Sequence, residues 1–361
     1  MNKAYRFRIY PNDEQKVSLA KTFGCVRFIY NRMLAEKQAY YEQTGKTLYM
    51  TPAKYKTEFP WLREVDSLAL ANAQLSLEAA FRNFFRDKNV GHPKFKSKHK
   101  GHNSFTTNLV NGNITLENGR LKLPKAGKVK VRQHRTIPAG HRLKSVTVSK
   151  QPSGKYYASI LYEYEEDITP VCPVNVVGLD FSMKKLYVCS DGLCADYPRF
   201  YRRSQEKLAR EQRKLSRRAK GGRNREKQRC KVARLHEHVA NQRKDFLHKQ
   251  SRQITNAYDA VCIEDLNMRD MSQTLNFGKS VSDNGWGMFT GFMRYKLKEH
   301  GKMLVKTDKW FPSSKMCSCC GTLKDDMPLS ERVFRCDCGF VCDRDKNSAI
   351  NIRNEGIRLL S

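Results

Sequence analysis

The spacing of apolar and polar residues changes along the first part of the chain, and each spacing predicts a different element. Residues 4–10 alternate as a short strand that ends before Pro11. Asn12 and Gln15 then have the spacing of a capping box, so a helix should follow to about residue 41. Apolar residues three or four apart predict a second helix over residues 67–86. Residues 12–90 are therefore expected to be mostly helical.

From Phe105 the apolar residues alternate with polar ones again. Asn118-Gly119 separates two short alternating runs and supplies the positive φ angles of a tight hairpin turn. A second hairpin is predicted between residues 146–148 and 156–164. Residues 103–165 should thus be antiparallel β structure, which together with the first strand predicts a small barrel.

Two prolines and an acidic run at residues 167–173 predict a domain boundary. Beyond it, paired strands are expected at residues 174–180 and 185–189, a buried strand at 260–264, a helix at 286–300 and a strand at 303–305. Residues 200–250 are rich in Arg, Lys, Gln and Glu and predict a helical hairpin broken at Gly221-Gly222, with basic outer faces. Like charges at this density repel unless an anion lies alongside.

The composition indicates a partner for the α+β protein predicted so far, because its charge favours binding to a polyanion. The chain has 68 Lys and Arg against 36 Asp and Glu, a net charge of +32 over 361 residues. Binding to nucleic acid should weaken steeply with salt. No run of apolar residues is long enough to span a bilayer, and the N-terminus lacks the core of a signal peptide. We expect a cytoplasmic, nucleoid-associated protein with no membrane partner.

Half of the twelve cysteines lie between Cys317 and Cys342. In a reducing compartment such a cluster indicates a metal, and thiolates at short spacing hold a structural Zn²⁺. We favour the ligand set Cys317, Cys320, Cys336 and Cys338. The second pair has one intervening residue where two are usual, so Cys319 or Cys342 stays open as the fourth ligand, and loss of zinc is a lesser alternative.

Three carboxylates form the second candidate site. Asp180 and Glu264 each end an apolar run, an expensive place for a charge unless a cation or solvent compensates it. Asp345 precedes a helical stretch. Any one of them alone is more often an ordinary strand end or helix cap. Together they suit two Mg²⁺ ions about 4 Å apart that catalyse phosphodiester hydrolysis.

Several motifs carry a resemblance to a known family. They are Val177–Asp180 with Ser190–Gly192, Cys262–Leu266, Pro312–Gly321, Asp343–Asn351 and, near the N-terminus, Tyr5–Pro11 and Phe23–Asn31. These segments resemble the TnpB family, the transposon-encoded RNA-guided DNA endonucleases related to type V CRISPR effectors. The resemblance covers essentially the whole chain, and the C-terminal motifs are highly specific in combination.

The resemblance implies a multidomain α+β fold. Residues 1–11 and 96–170 would form a β-barrel wedge domain and residues 12–95 a helical recognition domain. Residues 171–361 would form a RuvC-like, RNase H-type nuclease domain, with the basic helices at 200–250 and a zinc-ribbon-like insertion at 311–344. The family's metal-binding acids would be Asp180, Glu264 and Asp345. Asp343 competes for the third position, but Asp265 and Asp343 are interpreted as acids that support the metal ligands or have a structural role.

The implied activity is cleavage of double-stranded DNA paired to a transposon-derived guide RNA, beside a short target-adjacent motif. Lys94, Lys96, Lys98 and Arg202 are candidate nucleic-acid contacts on charge alone. A transposase fits less well, because the nearest His-x-His pattern, at residues 236–238, has a charged centre. A transposition accessory or a guided repressor without essential cleavage remains the alternative, and the sequence does not decide between monomer and dimer.

Overall fold

The structure is a computed structural model that describes residues 1–98, 103–182, 184–268, 271, 283–328 and 331–361. The chain divides into two compact units, Met1–Glu166 and Asp167–Ser361. The division falls at the start of the segment 167–173, where the sequence predicts a boundary. No helix in the described ranges is both long enough and apolar enough to cross a membrane.

The first unit combines helices with an antiparallel sheet. Its helices are α1 (Asp13–Thr44), α2 (Tyr55–Glu58) and α3 (Ser67–Arg86), with 3-10 turns at Pro52–Lys54 and Pro60–Glu64. Its strands are β1 (Asn2–Tyr10), β2 (Asn103–Asn108), β3 (Thr115–Glu117), β4 (Arg120–Leu123), β5 (Gly127–Arg132), β6 (Arg142–Lys150) and β7 (Tyr156–Glu163). The order in the sheet is β2-β6-β7-β1-β5-β4-β3.

The predicted local signals of this unit are confirmed. The Asn12 side chain accepts a 2.8 Å hydrogen bond from the Gln15 backbone, and the Gln15 side chain accepts one of 3.0 Å from the Asn12 backbone. Helix α1 continues to Thr44, past the predicted end, and stops where Gly45 takes a φ of +67°. In the first hairpin, Asn118 and Gly119 have φ angles of +48° and +67°. The second hairpin is formed by β6 and β7.

The predicted barrel is not closed by hydrogen bonds. Strands β2 and β3 lie at the two edges of the sheet, and no pairing joins them within the described residues. Strand β3 has only three residues, all of which pair with β4, so it offers little backbone for another partner. Helices and strands share one hydrophobic core, to which Phe7 of β1, Ile29 of α1 and Leu70 of α3 contribute. The division into wedge and recognition domains stays a prediction.

The second unit is built on a mixed sheet. Its strands are β8 (Val176–Phe181), β9 (Lys185–Cys189), β10 (Cys194–Asp196), β11 (Ala260–Glu264) and β12 (Met303–Thr307), in the order β10-β9-β8-β11-β12, with a separate hairpin of β13 (Val333–Arg335) and β14 (Val341–Asp343). Its helices include α4 (Phe200–Ser216), α5 (Arg223–Ala257), α6 (Trp286–Glu299) and α7 (Arg344–Leu360). Strands β8, β11 and β12 are parallel, so their C-terminal ends meet at one edge.

The predicted basic helical hairpin is α4 and α5, joined by residues 217–222. One acidic side chain, Glu211, lies buried between the two helices. Its carboxylate accepts a 2.7 Å hydrogen bond from Gln228 and lies 3.0 Å from the Lys231 ammonium and 3.2 Å from that of Lys214. The carboxylate thus joins two helices whose positive charges would otherwise repel.

Candidate active site and metal centre

Two of the predicted acids lie at the C-terminal edge of the parallel strands. Leu179 of β8 pairs with Ile263 of β11, so the next residue of each strand, Asp180 and Glu264, stands at the same edge. Up to this point both strands consist of apolar residues and one glycine, and most of these residues are buried. The two carboxylates are half-buried where the apolar strands end.

The third acid lies at the start of helix α7. Asp343 is the N-cap of this helix, and its side chain accepts a 3.1 Å hydrogen bond from the Lys346 backbone. Asp345 lies in the first turn and is half-buried. Asp343 therefore caps α7, and its interpretation as a structural acid stays a prediction. Asp265 is exposed and paired with Lys306.

Two glycines let α7 approach the sheet. A Cβ added at Gly178 of β8 would lie 2.0 Å from the carbonyl oxygen of Ala349, and one added at Gly356 would lie 2.0 Å from Cys262 Sγ. Real Cβ atoms essentially never come that close to a neighbour. The helix can therefore lie directly on β8 and β11, which brings its first turn to the edge that carries Asp180 and Glu264.

The three acids share an environment that disfavours their charges. Burial raises the pKa of Asp180 well above its ordinary value, and the charges of Glu264 and Asp345 raise it further. Burial also raises the pKa of Glu264, which a hydrogen bond from Ser313 partly offsets. The pKa of Asp345 is raised by burial and by Asp343, against the opposing effect of Arg332, Arg344 and Lys185. A cation would relieve this repulsion.

The donor chemistry of this edge suits hard cations. Carboxylate oxygens are the side-chain ligands that Mg²⁺ prefers. The three carboxylates do not form one tight cluster. In the described part of the chain, the one group of three or more Cys, His, Asp or Glu side chains with ligand atoms within 4.8 Å of each other is the four cysteine thiols discussed below. The spread of the acids is compatible with a site for more than one ion, since ions in two-metal sites lie about 4 Å apart.

A network of buried polar side chains ties these acids to the segment before the cysteines. Ser313 donates a hydrogen bond to Glu264, and its hydroxyl lies 3.0 Å from that of Ser348 on α7. Asn351 donates to the carbonyls of Ser313 and Met316 at 2.8 and 2.7 Å. Asn347 donates to the Met316 carbonyl at 2.8 Å and accepts from the Ser318 backbone at 3.0 Å.

Ser313, Asn347, Ser348 and Asn351 lie within the motifs of the sequence analysis, but the sequence assigns them no role. The three that lie on α7 share a signal in the sequence. Asn351 follows Asn347 by four residues and Ser348 by three, so all three polar side chains lie on the face of α7 that is otherwise apolar and buried. In the structure this polar face binds the 313–318 loop. The network therefore fixes the cysteine segment relative to Asp345 and Glu264.

The structure brings the four predicted cysteines together. The sulfur atoms of Cys317, Cys320, Cys336 and Cys338 all lie within 4.8 Å of one another. Sγ of Cys317 lies 3.8 Å from that of Cys338, and Sγ of Cys320 lies 3.5 Å from that of Cys336. Four sulfurs about 2.3 Å from a tetrahedral zinc would be about 3.8 Å apart, so the observed spacing fits Zn²⁺.

The alternative fourth ligands lie outside this group. Cys319 is exposed and Cys342 lies on β14, and neither belongs to the four-thiol cluster. The single residue between Cys336 and Cys338 is accommodated by a tight turn, in which the Gly339 backbone donates a 2.9 Å hydrogen bond to the Cys336 carbonyl. Gly339 takes a φ of +88°, which favours glycine.

The four candidate nucleic-acid contacts lie in both units. Lys94, Lys96 and Lys98 follow α3 in the first unit, and Arg202 lies on α4 in the second; all four are exposed. The backbone of Lys96 exchanges two hydrogen bonds with the Asn31 side chain, of 2.8 and 2.9 Å. The Lys96 ammonium lies 3.8 Å from the centre of the Tyr30 ring. Their contact with nucleic acid stays a prediction.

Comparisons with known proteins assign the chain. A family model described as "Probable transposase" matches residues 159–275, one described as "Cas12f1-like, TNB domain" matches residues 286–352, and one described as "Helix-turn-helix domain" matches residues 1–46. The second range contains the cysteine cluster. The last range contains β1 and the single helix α1 in the structure.

Curated relatives match along nearly the full length. A protein of Streptomyces pristinaespiralis named "Putative RNA-guided DNA endonuclease" is 37% identical, over 99% of this chain and 90% of its own. "Putative RNA-guided DNA endonuclease InsQ" of Escherichia coli (strain K12) is 32% identical, over 99% of this chain and 93% of its own.

Among solved structures, the protein in "Cryo-EM structure of the Cas12f1-sgRNA-target DNA complex" superposes with a TM-score of 0.61 at 14% identity, covering 98% of this chain and 99% of that one. That likeness concerns the fold. The full-length relatives above 30% identity, the three matched family models and the motifs that surround the acids and cysteines together show that the chain belongs to the TnpB family.

Proposed function

We propose that this protein is a metal-dependent, RNA-guided DNA endonuclease whose active site is formed by Asp180, Glu264 and Asp345. The observation that supports the proposal is that Asp180 and Glu264 end neighbouring parallel strands and that the charges of Glu264 and of Asp345, on α7, both raise the pKa of Asp180. The full-length relatives of the chain are named putative RNA-guided DNA endonucleases. The second unit would be the RuvC-like, RNase H-type nuclease domain.

The acids would hold Mg²⁺ through their carboxylate oxygens. The chemistry that Mg²⁺ supplies at such carboxylates is activation of a water molecule and stabilisation of the leaving oxygen of a phosphodiester. Ser313 fixes the orientation of Glu264 by its hydrogen bond. A hydrogen bond with Ser348 partly offsets the rise in the pKa of Asp180 that burial and the neighbouring acids cause. Arg332, 3.8 Å from Asp345, and Arg344 add positive charge that would attract a phosphate backbone.

Cys317, Cys320, Cys336 and Cys338 would hold a structural Zn²⁺. All four positions of a tetrahedral site are then taken by thiolates, which leaves no position for a substrate or water. Its role would be to stabilise the loop between Met316 and β14. Because Asn347 and Asn351 attach that loop to α7, zinc binding would also support the position of the acids.

The partners would be a transposon-derived guide RNA and a double-stranded target DNA recognised beside a short motif. The charge of +32 supports a polyanionic partner. In a guided enzyme, base pairing reads the sequence and the protein contacts the backbone of the heteroduplex, which suits charge that is spread over the chain. The wedge segments 1–11 and 96–170 and the recognition segment 12–95 are proposed to hold these nucleic acids.

The test is to purify the protein from cells that carry its native locus and to sequence the nucleic acid that survives a high-salt wash. Non-specific contacts are lost at high salt, whereas a folded guide should persist. We expect one discrete RNA with a constant body and a 3′ end that runs past the transposon boundary. A heterogeneous mixture, or no RNA, would contradict the guided part of the proposal and leave a basic DNA-binding nuclease or a transposition accessory.

A further inference from the structure

A tryptophan is exposed close to the candidate active site. Strand β12 pairs with β11 so that Thr307 lies beside Glu264. Trp310 follows three residues later, and 81% of its surface is exposed. The other two tryptophans differ: Trp286 is buried, and the partly exposed Trp61 packs its ring 4.9 Å from that of Phe28. In the described residues, no other aromatic ring packs against Trp310.

The backbone around Trp310 is held in a fixed turn. The Trp310 backbone donates a 2.8 Å hydrogen bond to the Asp308 side chain, and the Phe311 backbone donates one of 3.1 Å to the Asp308 carbonyl. Ser313, two residues further on, is buried and donates to Glu264. The backbone of Trp310 is thus connected, through a short hydrogen-bonded turn and Ser313, to Glu264, one of the three acids.

The charge around the ring indicates what it would bind. The Lys309 ammonium lies 4.9 Å from the centre of the Trp310 ring. A flat apolar face beside a cation suits a group that is itself flat, aromatic and attached to an anion, which describes a nucleobase with its phosphate. In a duplex both faces of each base are already covered by neighbours, so an exposed ring can stack only on a base that is unpaired or at a strand end.

We propose that Trp310 stacks on an unpaired base of the DNA strand that enters the site and thereby positions the neighbouring phosphodiester at Asp180, Glu264 and Asp345. The inference rests on the proposed function, because it names the state of the substrate at that same site. Stacking tolerates any base, so this contact would add affinity and position without adding sequence preference.

The first experiment measures tryptophan fluorescence in the complete complex of protein, guide RNA and target DNA. The variant Trp61→Phe with Asp180→Ala leaves Trp310 as the exposed tryptophan and keeps the DNA intact. We expect target DNA to quench the fluorescence, and target DNA with abasic positions in the strand to be cut to quench much less. Quenching that is the same with abasic DNA, or absent, would overturn the proposal.

The same fluorescence measurement distinguishes a protein partner from DNA as the group that covers Trp310. If raising the protein concentration alone, without target DNA, shifted the Trp310 emission to that of a buried ring, a second copy of the chain would be the occupant. That result would also overturn the proposal.

The second experiment measures cleavage by complexes with Trp310→Ala and Trp310→Phe. Loss of one stacked base should weaken productive binding about 10-fold in Trp310→Ala, and Trp310→Phe should recover most of the loss. Equal cleavage by Trp310→Ala and the parent would count against stacking. The outcome is distinct from failure of the proposed function, which would appear as undiminished cleavage by Asp180→Ala alone.

Discussion

At the scale of single residues, the candidate site depends on Gly178, because its lack of a side chain leaves room for helix α7. Gly178 lies on β8 two residues before Asp180, and Ala349 of α7 lies against it. The two nearest atoms that a methyl group would meet are backbone atoms of a helix, which cannot rotate away as a flexible side chain can. The position of Asp345 relative to Asp180 therefore depends on this glycine.

We predict that Gly178→Ala destabilises the second unit by roughly 1–3 kcal/mol, because α7 must move away from the sheet. DNA cleavage should fall together with stability. Thermal unfolding and a cleavage assay measure the two effects. Gly291→Ala is the matched control: Gly291 lies in α6 with open space around it, and alanine there should stabilise by about 0.5–1 kcal/mol. Wild-type stability in Gly178→Ala would show that the helix does not need this close approach.

Single residues also show what sequence reasoning can find in this site. The sequence predicts Asp180 and Glu264 as site residues because a charge at the end of an apolar strand is costly, and that cost is evident from the chain alone. The sequence alone indicates no role for Ser313, Ser348, Asn347 and Asn351, because polar residues of these types are common in loops and helices. Their role follows from the position of α7 over the 313–318 loop, which is a tertiary relation.

At the scale of elements, the irregular second cysteine pair is the point that the sequence left open. Its spacing alone allowed Cys319 or Cys342 as the fourth ligand. The geometry selects Cys338, because the turn at Gly339 brings its thiol to 3.8 Å from that of Cys317. Zinc binding itself remains a prediction that substitution can test.

We predict that Cys338→Ser lowers the zinc content well below one ion per chain and loosens residues 313–343, because three thiolates bind Zn²⁺ less tightly than four. Metal analysis measures the zinc, and hydrogen exchange measures the loosening. Cys319→Ser and Cys342→Ser are the controls and should keep their zinc. Loss of zinc in either control, with zinc retained in Cys338→Ser, would show that the ligand set is different.

The basic helical hairpin α4–α5 depends on an acidic contact that its periodicity does not reveal. The contacts around Glu211 lower its pKa to about 2, chiefly through the hydrogen bond from Gln228 and then through Lys231. An unfolded glutamate has a pKa of about 4.3. The charged carboxylate therefore contributes stability that is fully present above about pH 4.3 and is lost as the pH falls towards 2.

We predict that Glu211→Gln lowers the melting temperature at neutral pH and speeds hydrogen exchange in α4 and α5. The melting temperature of the variant should also depend less on pH below about 4.3 than that of the parent. Glu206→Gln on the exposed face of the same helix is the control and should behave as the parent. If both variants melted alike, Glu211 would have no special role in joining the helices.

At the scale of the whole molecule, the sequence predicts the order of the elements well but does not predict correctly that the sheet of the first unit closes into a barrel. Strands, caps and hairpin turns depend on residues near in sequence, and these predictions are confirmed from Asn12 to Asn118. The barrel required pairing between distant strands, and β2 and β3 are left as edges in the described chain. The division of the first unit into wedge and recognition domains stays a prediction.

The most direct test of the central claim is cleavage of target DNA by the purified protein–RNA complex with Mg²⁺, before and after the guide segment of the RNA is replaced by a new sequence. We predict that the cut moves to the new matching site and that Asp180→Ala lowers its rate roughly 100-fold or more. Asp265→Ala, which changes the exposed acid next to Glu264, should cut as the parent does. A cut that ignores the guide sequence, or one that survives Asp180→Ala undiminished, would contradict the account.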